Sequence, residues 1–147
     1  MASVPPTGLC GSALRMLATD PYMLVRMSFL HGGGGFPDDF KMTRRAVFSE
    51  DVPEEEVQRY ASRFQAESHR ALWDMTVANL PQQWRIKPPR MLVLGAEDDI
   101  LFSPAMVETT ARAYQAEMEM FPRMAHGMML ETNWQAVADR ILRWLQA

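Results

Sequence analysis

Cysteine is nearly absent from this chain of 147 residues: Cys10 stands alone, so no internal disulfide can form. No apolar run approaches the roughly 20 residues that a helix needs to cross a bilayer, which argues against a membrane span. The opening MASVPPTG has neither the basic stretch nor the apolar core of a secretory signal. Positive charge is not in surplus either. Lys and Arg number 15 against 18 Asp and Glu, for a net charge of −3, so nothing electrostatic favours nucleic acid or an anionic membrane surface. Taken together, these absences point to a reducing, cytoplasmic setting. What is present is ordinary for a packed protein, with 48% hydrophobic and 22% charged residues. The 13 methionines are the one excess, and flexible thioethers of this kind fill irregular cores or line adaptable apolar pockets.

The first ninety residues carry helix and loop signals only. SVPPTG cannot lie inside a helix, because adjacent prolines remove donors and push the preceding residue to extended geometry. From Gly11 to Leu30 the composition is helical, interrupted where Asp20 can cap a second helix with Pro21 in its first turn. Met23, Leu24, Met27 and Leu30 then share a face. HGGGGFPDDF follows, residues 31–40, and its glycines carry a heavy entropic cost in any regular element, so it reads as a loop. Beyond it, DVPEEEVQRYASRF predicts a helix with Asp51 as cap and Val57, Tyr60, Ala61 and Phe64 on one stripe. ESHRALWDMTVANL predicts another short helix ending at Pro81. RRAVF reads as a solvated helix face, and His69 as an exposed helical residue.

The texture changes near residues 87–89. RMLVLGAEDD is a short continuous apolar run closed by Gly95, the pattern of a strand covered on both faces. SPAMVETTARAYQ predicts a helix with Ser103 at its cap, Pro104 in its first turn, and Val107, Ala111 and Tyr114 along one stripe. AEMEMFP is a second strand, and NWQAVADRILRWLQ a final amphipathic helix carrying Trp134, Val137, Ala138, Ile141, Leu142 and Leu145. The order strand, helix, strand, loop, helix is a parallel crossover. Residues 1–88 are therefore expected to form a helical region with a glycine-rich loop, and residues 89–147 an α/β segment. Two parallel strands are too few for a covered sheet, so this segment needs further strands beside it.

In open α/β sheets, chemistry gathers just beyond the carboxyl ends of the strands. Here those ends deliver Glu97, Asp98 and Asp99 after the first strand and His126 after the second. An acid that fixes an imidazole's tautomer and a histidine that acts as general base are two members of a Ser-His-Asp relay.

On these residues, Leu92 to Leu145 resembles the C-terminal end of the α/β-hydrolase superfamily. The family's strand, Gly-x-x-Asp and following apolar pair match Gly95, Ala96, Glu97, Asp98, Ile100 and Leu101, with Pro104 beyond. Its histidine turn matches MAHGMMLE, with Glu131 as the trailing acid. The resemblance implies Asp98 as the acid of the triad, Asp99 being shifted by one, and His126 as the base. It also implies a helical cap, for which Gly11 to Pro81 supplies the helices. The implied chemistry is attack of a serine on the acyl carbonyl of a small apolar ester, as in esterases and lipases, with no metal or organic cofactor. Related reactions on epoxides, haloalkanes or C–C bonds stay open.

The departure from the pattern is the nucleophile. No serine here sits in a Gly-x-Ser-x-Gly turn, and GLCGS around Cys10 follows VPPT, a poor strand for the required strand-turn-helix elbow. HGGGG, which in some esterases would supply oxyanion donors upstream of the nucleophile, here precedes none, and is expected to be a loop within the cap. A metal site there would use His31, Asp38 and Asp39, but isolated residues on a glycine loop read as solvated.

Three readings follow. The chain is part of a hydrolase that retains the acid and base and needs a complementary N-terminal half for nucleophile and oxyanion hole. Alternatively, it is a non-catalytic interaction module whose open sheet edge pairs with itself or another chain. Or it is a self-sufficient enzyme that uses Cys10 or Ser12.

Overall fold

In the computed structural model, residues 5–23, 25, 40–65 and 68–147 are described. The expected HGGGG loop, the candidate metal residues His31, Asp38 and Asp39, and most of the stripe through Leu24, Met27 and Leu30 lie outside these residues. The helices are α1 (Cys10–Thr19), α2 (Phe40–Val47), α3 (Glu54–Ala61), α4 (His69–Trp73), α5 (Pro104–Tyr114) and α6 (Trp134–Gln146). The strands are β1 (Leu92–Ala96) and β2 (Glu117–Phe121), and they pair in parallel with Leu92 opposite Glu117 and Ala96 opposite Phe121. The fold is mixed α/β, mostly helical, with the crossover β1–α5–β2 at its centre.

β1 is covered on both faces, as its continuous apolar run requires. Leu94 and Ala96 pack with Phe121, Met124, Met128 and Val137 of α6 on one side. Val93 packs with Val107 and Ala111 of α5 on the other. Gly95 allows α5 to approach this closely: a Cβ there would lie 2.6 Å from Met120 Sδ and 2.8 Å from both Val107 methyls. Proline at the start of α5 and the left-handed Gln115 at its end bound that helix.

In the helical region, Asp20 caps as expected, accepting the Met23 N–H at 3.0 Å. Val57 of α3 is fully buried against Phe48 and Val52, with Tyr60 and Phe64 packed around them. Three expectations change. Asp51 does not cap α3, whose N-cap position is held by Pro53. The helix predicted over ESHRALWDMTVANL is α only from His69 to Trp73 and then opens into a π-helical turn, Asp74–Ala78. RRAVF is no simple solvated face: Ala46 and Phe48 are buried, and the Arg44 guanidinium donates to Val52 O and Glu50 O.

Elsewhere the apolar pattern goes uncovered. On α6 only Val137 is buried, while Trp134, Ile141, Leu142 and Leu145 are exposed. The sheet has two strands, so the edge of β1 away from β2 has no strand partner among the described residues.

Candidate active site

The turn after β1 and the turn after β2 meet at the carboxyl end of the sheet. Glu97 N–H donates to Phe121 O at 3.0 Å and Asp98 N–H to Met124 O at 2.9 Å, which stitches the two turns together. This places His126 over the residues that follow β1.

The carboxylate that meets it is Asp99. His126 Nδ1 lies 3.0 Å from Asp99 Oδ2. The other oxygen, Oδ1, accepts the Leu101 N–H at 2.7 Å and the Phe102 N–H at 2.9 Å. Asp99 is buried, and His126 keeps 28% of its side chain exposed. Asp98, which the family resemblance implied as the partner of His126, is exposed in the turn. The physical reason is the length of that turn: β1 ends at Ala96, Glu97 and Asp98 are exposed, and Asp99 is the first side chain after the strand to be buried, against the Leu101 and Phe102 N–H groups. There, unpaired N–H groups ahead of the helix reward an acceptor.

An Asp carboxylate accepts only, so Nδ1 carries the proton and Nε2 presents its lone pair. Nε2 has no hydrogen-bond partner among the described residues. Phe102 flanks the ring, with centroids 5.5 Å apart and planes tilted by 36°. The arrangement is an imidazole oriented through Nδ1 by a carboxylate that two main-chain N–H groups anchor. Chemically, this can accept a proton from a hydroxyl brought to Nε2.

The candidate nucleophiles lie elsewhere. Cys10 opens α1 and is entered from a proline turn closed by Gly8 N–H to Pro5 O. Its Sγ faces Thr76 O at 3.5 Å, and Ser12 Oγ is directed at Met106 Sδ at 3.6 Å. His126 is a partner to neither. Among the described residues, no three His, Cys, Asp or Glu side chains converge as a metal would require. Nor is any helix long and apolar enough to cross a membrane.

Sequence reasoning missed the burial of Glu131. The trailing acid is 1% exposed, and accepts from Ser49 N at 2.8 Å, Ser49 Oγ at 2.6 Å and Ala125 N at 3.0 Å. Its position five residues after the histidine was the only signal.

No protein-family model matches the sequence, and no curated protein matches it. The structure is similar to that of a thermophilic esterase from Thermogutta terrifontis, solved with malate bound, at 18% identity and a TM-score of 0.57. The likeness covers 88% of this chain and 50% of the esterase, so the chain spans half the length of the protein it matches. At that identity the comparison bears on fold, and the mixed α/β arrangement is consistent with the C-terminal part of an α/β hydrolase.

Proposed function

We propose that this chain carries the acid–base half of an acyl-transfer site of the esterase type, with His126 as general base and Asp99, rather than Asp98, as the acid that orients it. The observation that carries the reading is the Asp99–His126 hydrogen bond at the carboxyl ends of two parallel strands. The fold of the esterase neighbour supports it at the level of ancestry. In this reading residues 1–88 act as a helical cap, and a small apolar ester is the substrate. The serine nucleophile and the oxyanion donors come from a complementary half outside these 147 residues. That half would add parallel strands to the bare edge of β1.

Two measurements on the purified chain test this. In 15N-histidine spectra, His126 is expected as the Nδ1–H tautomer, changed by Asp99→Asn and unchanged by Asp98→Asn. With a short p-nitrophenyl ester, the chain and His126→Ala are expected to give the same background rate. An Nε2–H tautomer would overturn the pairing. Turnover lost in His126→Ala together with Cys10→Ala or Ser12→Ala would overturn the external nucleophile.

A second reading has its own observation. The exposed stripe Trp134, Ile141, Leu142 and Leu145 beside an open strand edge also suits a non-catalytic module that pairs with a second copy. Sedimentation velocity over a range of concentrations tests it: a monomer throughout excludes self-pairing.

A further inference from the structure

Glu131 is among the most deeply buried side chains in the described structure, and each contact it makes is with a donor. Removing a carboxylate from water costs several kcal/mol unless its lone pairs are satisfied. No cation among the described residues forms an ion pair or hydrogen bond with it. Its oxygens instead take two main-chain N–H groups and one hydroxyl, and the main-chain donors can serve only an acceptor.

What those donors belong to is informative. Ala125 precedes His126, and Ser49 lies in the segment that follows α2, 82 positions from Glu131 in sequence. On the other side of the histidine, Gly127 N–H donates to Val47 O at 2.7 Å. The approach is close enough that a Cβ on Gly127 would lie 2.9 Å from Val47 Cγ1 and 3.0 Å from Val47 O. Thr132 Oγ1 adds a bond to Asp51 O at 3.0 Å. Both main-chain neighbours of His126 are therefore fastened to one short stretch, residues 47–51, one directly and one through Glu131. The opposite flank is held by the Asp98 N–H bond to Met124 O.

We infer that Glu131 is a positioning residue: its buried carboxylate clamps the His126 loop to residues 47–51, so that the seating of this helical segment sets the alignment of His126 with Asp99. The clamp touches no reacting atom and acts through the backbone on either side of the imidazole. It makes the helical region more than a cover, since displacing residues 47–51 would move the base. The inference rests on the proposed function only for the role of His126; the clamp itself is read without turnover.

The test uses the full chain with Glu131→Gln, Ser49→Ala and, as a control at the exposed end of the same junction, Thr132→Ala. Amide exchange at Ala125 and Gly127 reports the clamp, and the 15N-histidine spectrum reports the alignment. Glu131→Gln keeps an oxygen for the Ser49 and Ala125 N–H groups but replaces charge-assisted bonds with neutral ones about half as strong, and is expected to speed exchange at both amides by about tenfold and to mix the His126 tautomers. Ser49→Ala, which removes one donor and leaves the carboxylate, is expected to give a smaller change in the same direction. Thr132→Ala is expected to leave the histidine spectrum unchanged. If Glu131→Gln does not fold, Ser49→Ala carries the test. Unchanged exchange and an unchanged histidine spectrum in the folded variants overturn the clamp. Asp99→Asn separates the two ideas: a spectrum insensitive to it refutes the acid–base pair, while the exchange data still decide the clamp.

Discussion

Asp99 holds His126 Nδ1 at 3.0 Å with one oxygen and the N–H groups of Leu101 and Phe102 with the other, so the carboxylate cannot turn away from the imidazole without abandoning two main-chain donors. The pair is thus fixed by local backbone geometry. A histidine on a turn is thereby held in a defined orientation.

Replacing Asp99 separates this arrangement from its neighbour. Asp99→Asn keeps an oxygen for Leu101 and Phe102 but turns an NH2 toward His126, which can accept it only as the Nε2–H tautomer, and exchanging the charged acceptor for a neutral donor in a buried site should cost about 1–3 kcal/mol. Asp98→Asn changes an exposed side chain and should stay within about 0.5 kcal/mol. Urea denaturation of the two variants checks the contrast. In a completed hydrolase, Asp99→Asn should lower the rate by on the order of 10⁴-fold, because the histidine's basic nitrogen is then protonated.

Much of the α/β segment was legible because its signals are local. Gly95 ended an apolar run, Pro104 marked the start of α5, and the two strand ends identified where chemistry could collect. The resemblance pointed to Asp98 as the partner of His126, one residue before the carboxylate that meets it, because the length of a turn has no periodic signature; only the folded path of Glu97 and Asp98 decides which side chain is buried. Helix α2 was not assigned as an element, since its only signal, RRAVF, looked like solvated surface, and its burial depends on Met23, Val52 and Val57 arriving from other elements. Glu131 was hidden for the same reason. A carboxylate's burial depends on donors contributed by Ser49, far away in sequence.

Gly95 makes the case for close packing that can be tested directly. A methyl at this position would meet Met120 Sδ at 2.6 Å and the Val107 methyls at 2.8 Å, so Gly95→Ala should destabilise by about 1–3 kcal/mol through overpacking. Removing the opposing methyls should restore part of that loss. The double variant Gly95→Ala with Val107→Ala should therefore be more stable than the sum of the two single changes, as a double-mutant cycle in urea would measure.

A different test concerns the bare face of α6. Leu142 and Leu145 are 54% and 66% exposed, so Leu142→Lys and Leu145→Lys should alter the chain's own stability by no more than about 0.5 kcal/mol. The same changes should abolish any self-association seen in sedimentation velocity, because they place charge in the only large apolar stripe of that helix. Lost stability instead would mean that these residues pack within the chain.

The acid side of the pH profile belongs to a cluster that pins α6 to β2. Glu117 accepts from Arg90 at 3.2 Å, Arg140 at 3.2 Å and Trp144 Nε1 at 3.1 Å, and Arg90 also lies over the Trp144 ring. The Arg90 hydrogen bond, reinforced by those from Arg140 and Trp144, holds the Glu117 carboxyl below its ordinary value of 4.5 against an opposing desolvation effect. A carboxyl whose value is lower in the folded state binds its proton more readily when unfolded. Its contribution is therefore complete at neutral pH and is lost as pH falls through the folded-state value. Glu117→Gln should accordingly lower Tm near pH 7 and converge with the parent chain as pH falls below the carboxyl's folded-state value. Because the cluster is exposed, added salt should shrink the neutral-pH difference. Parallel Tm curves across the whole range would show that Glu117 holds α6 through hydrogen bonding that is indifferent to its charge.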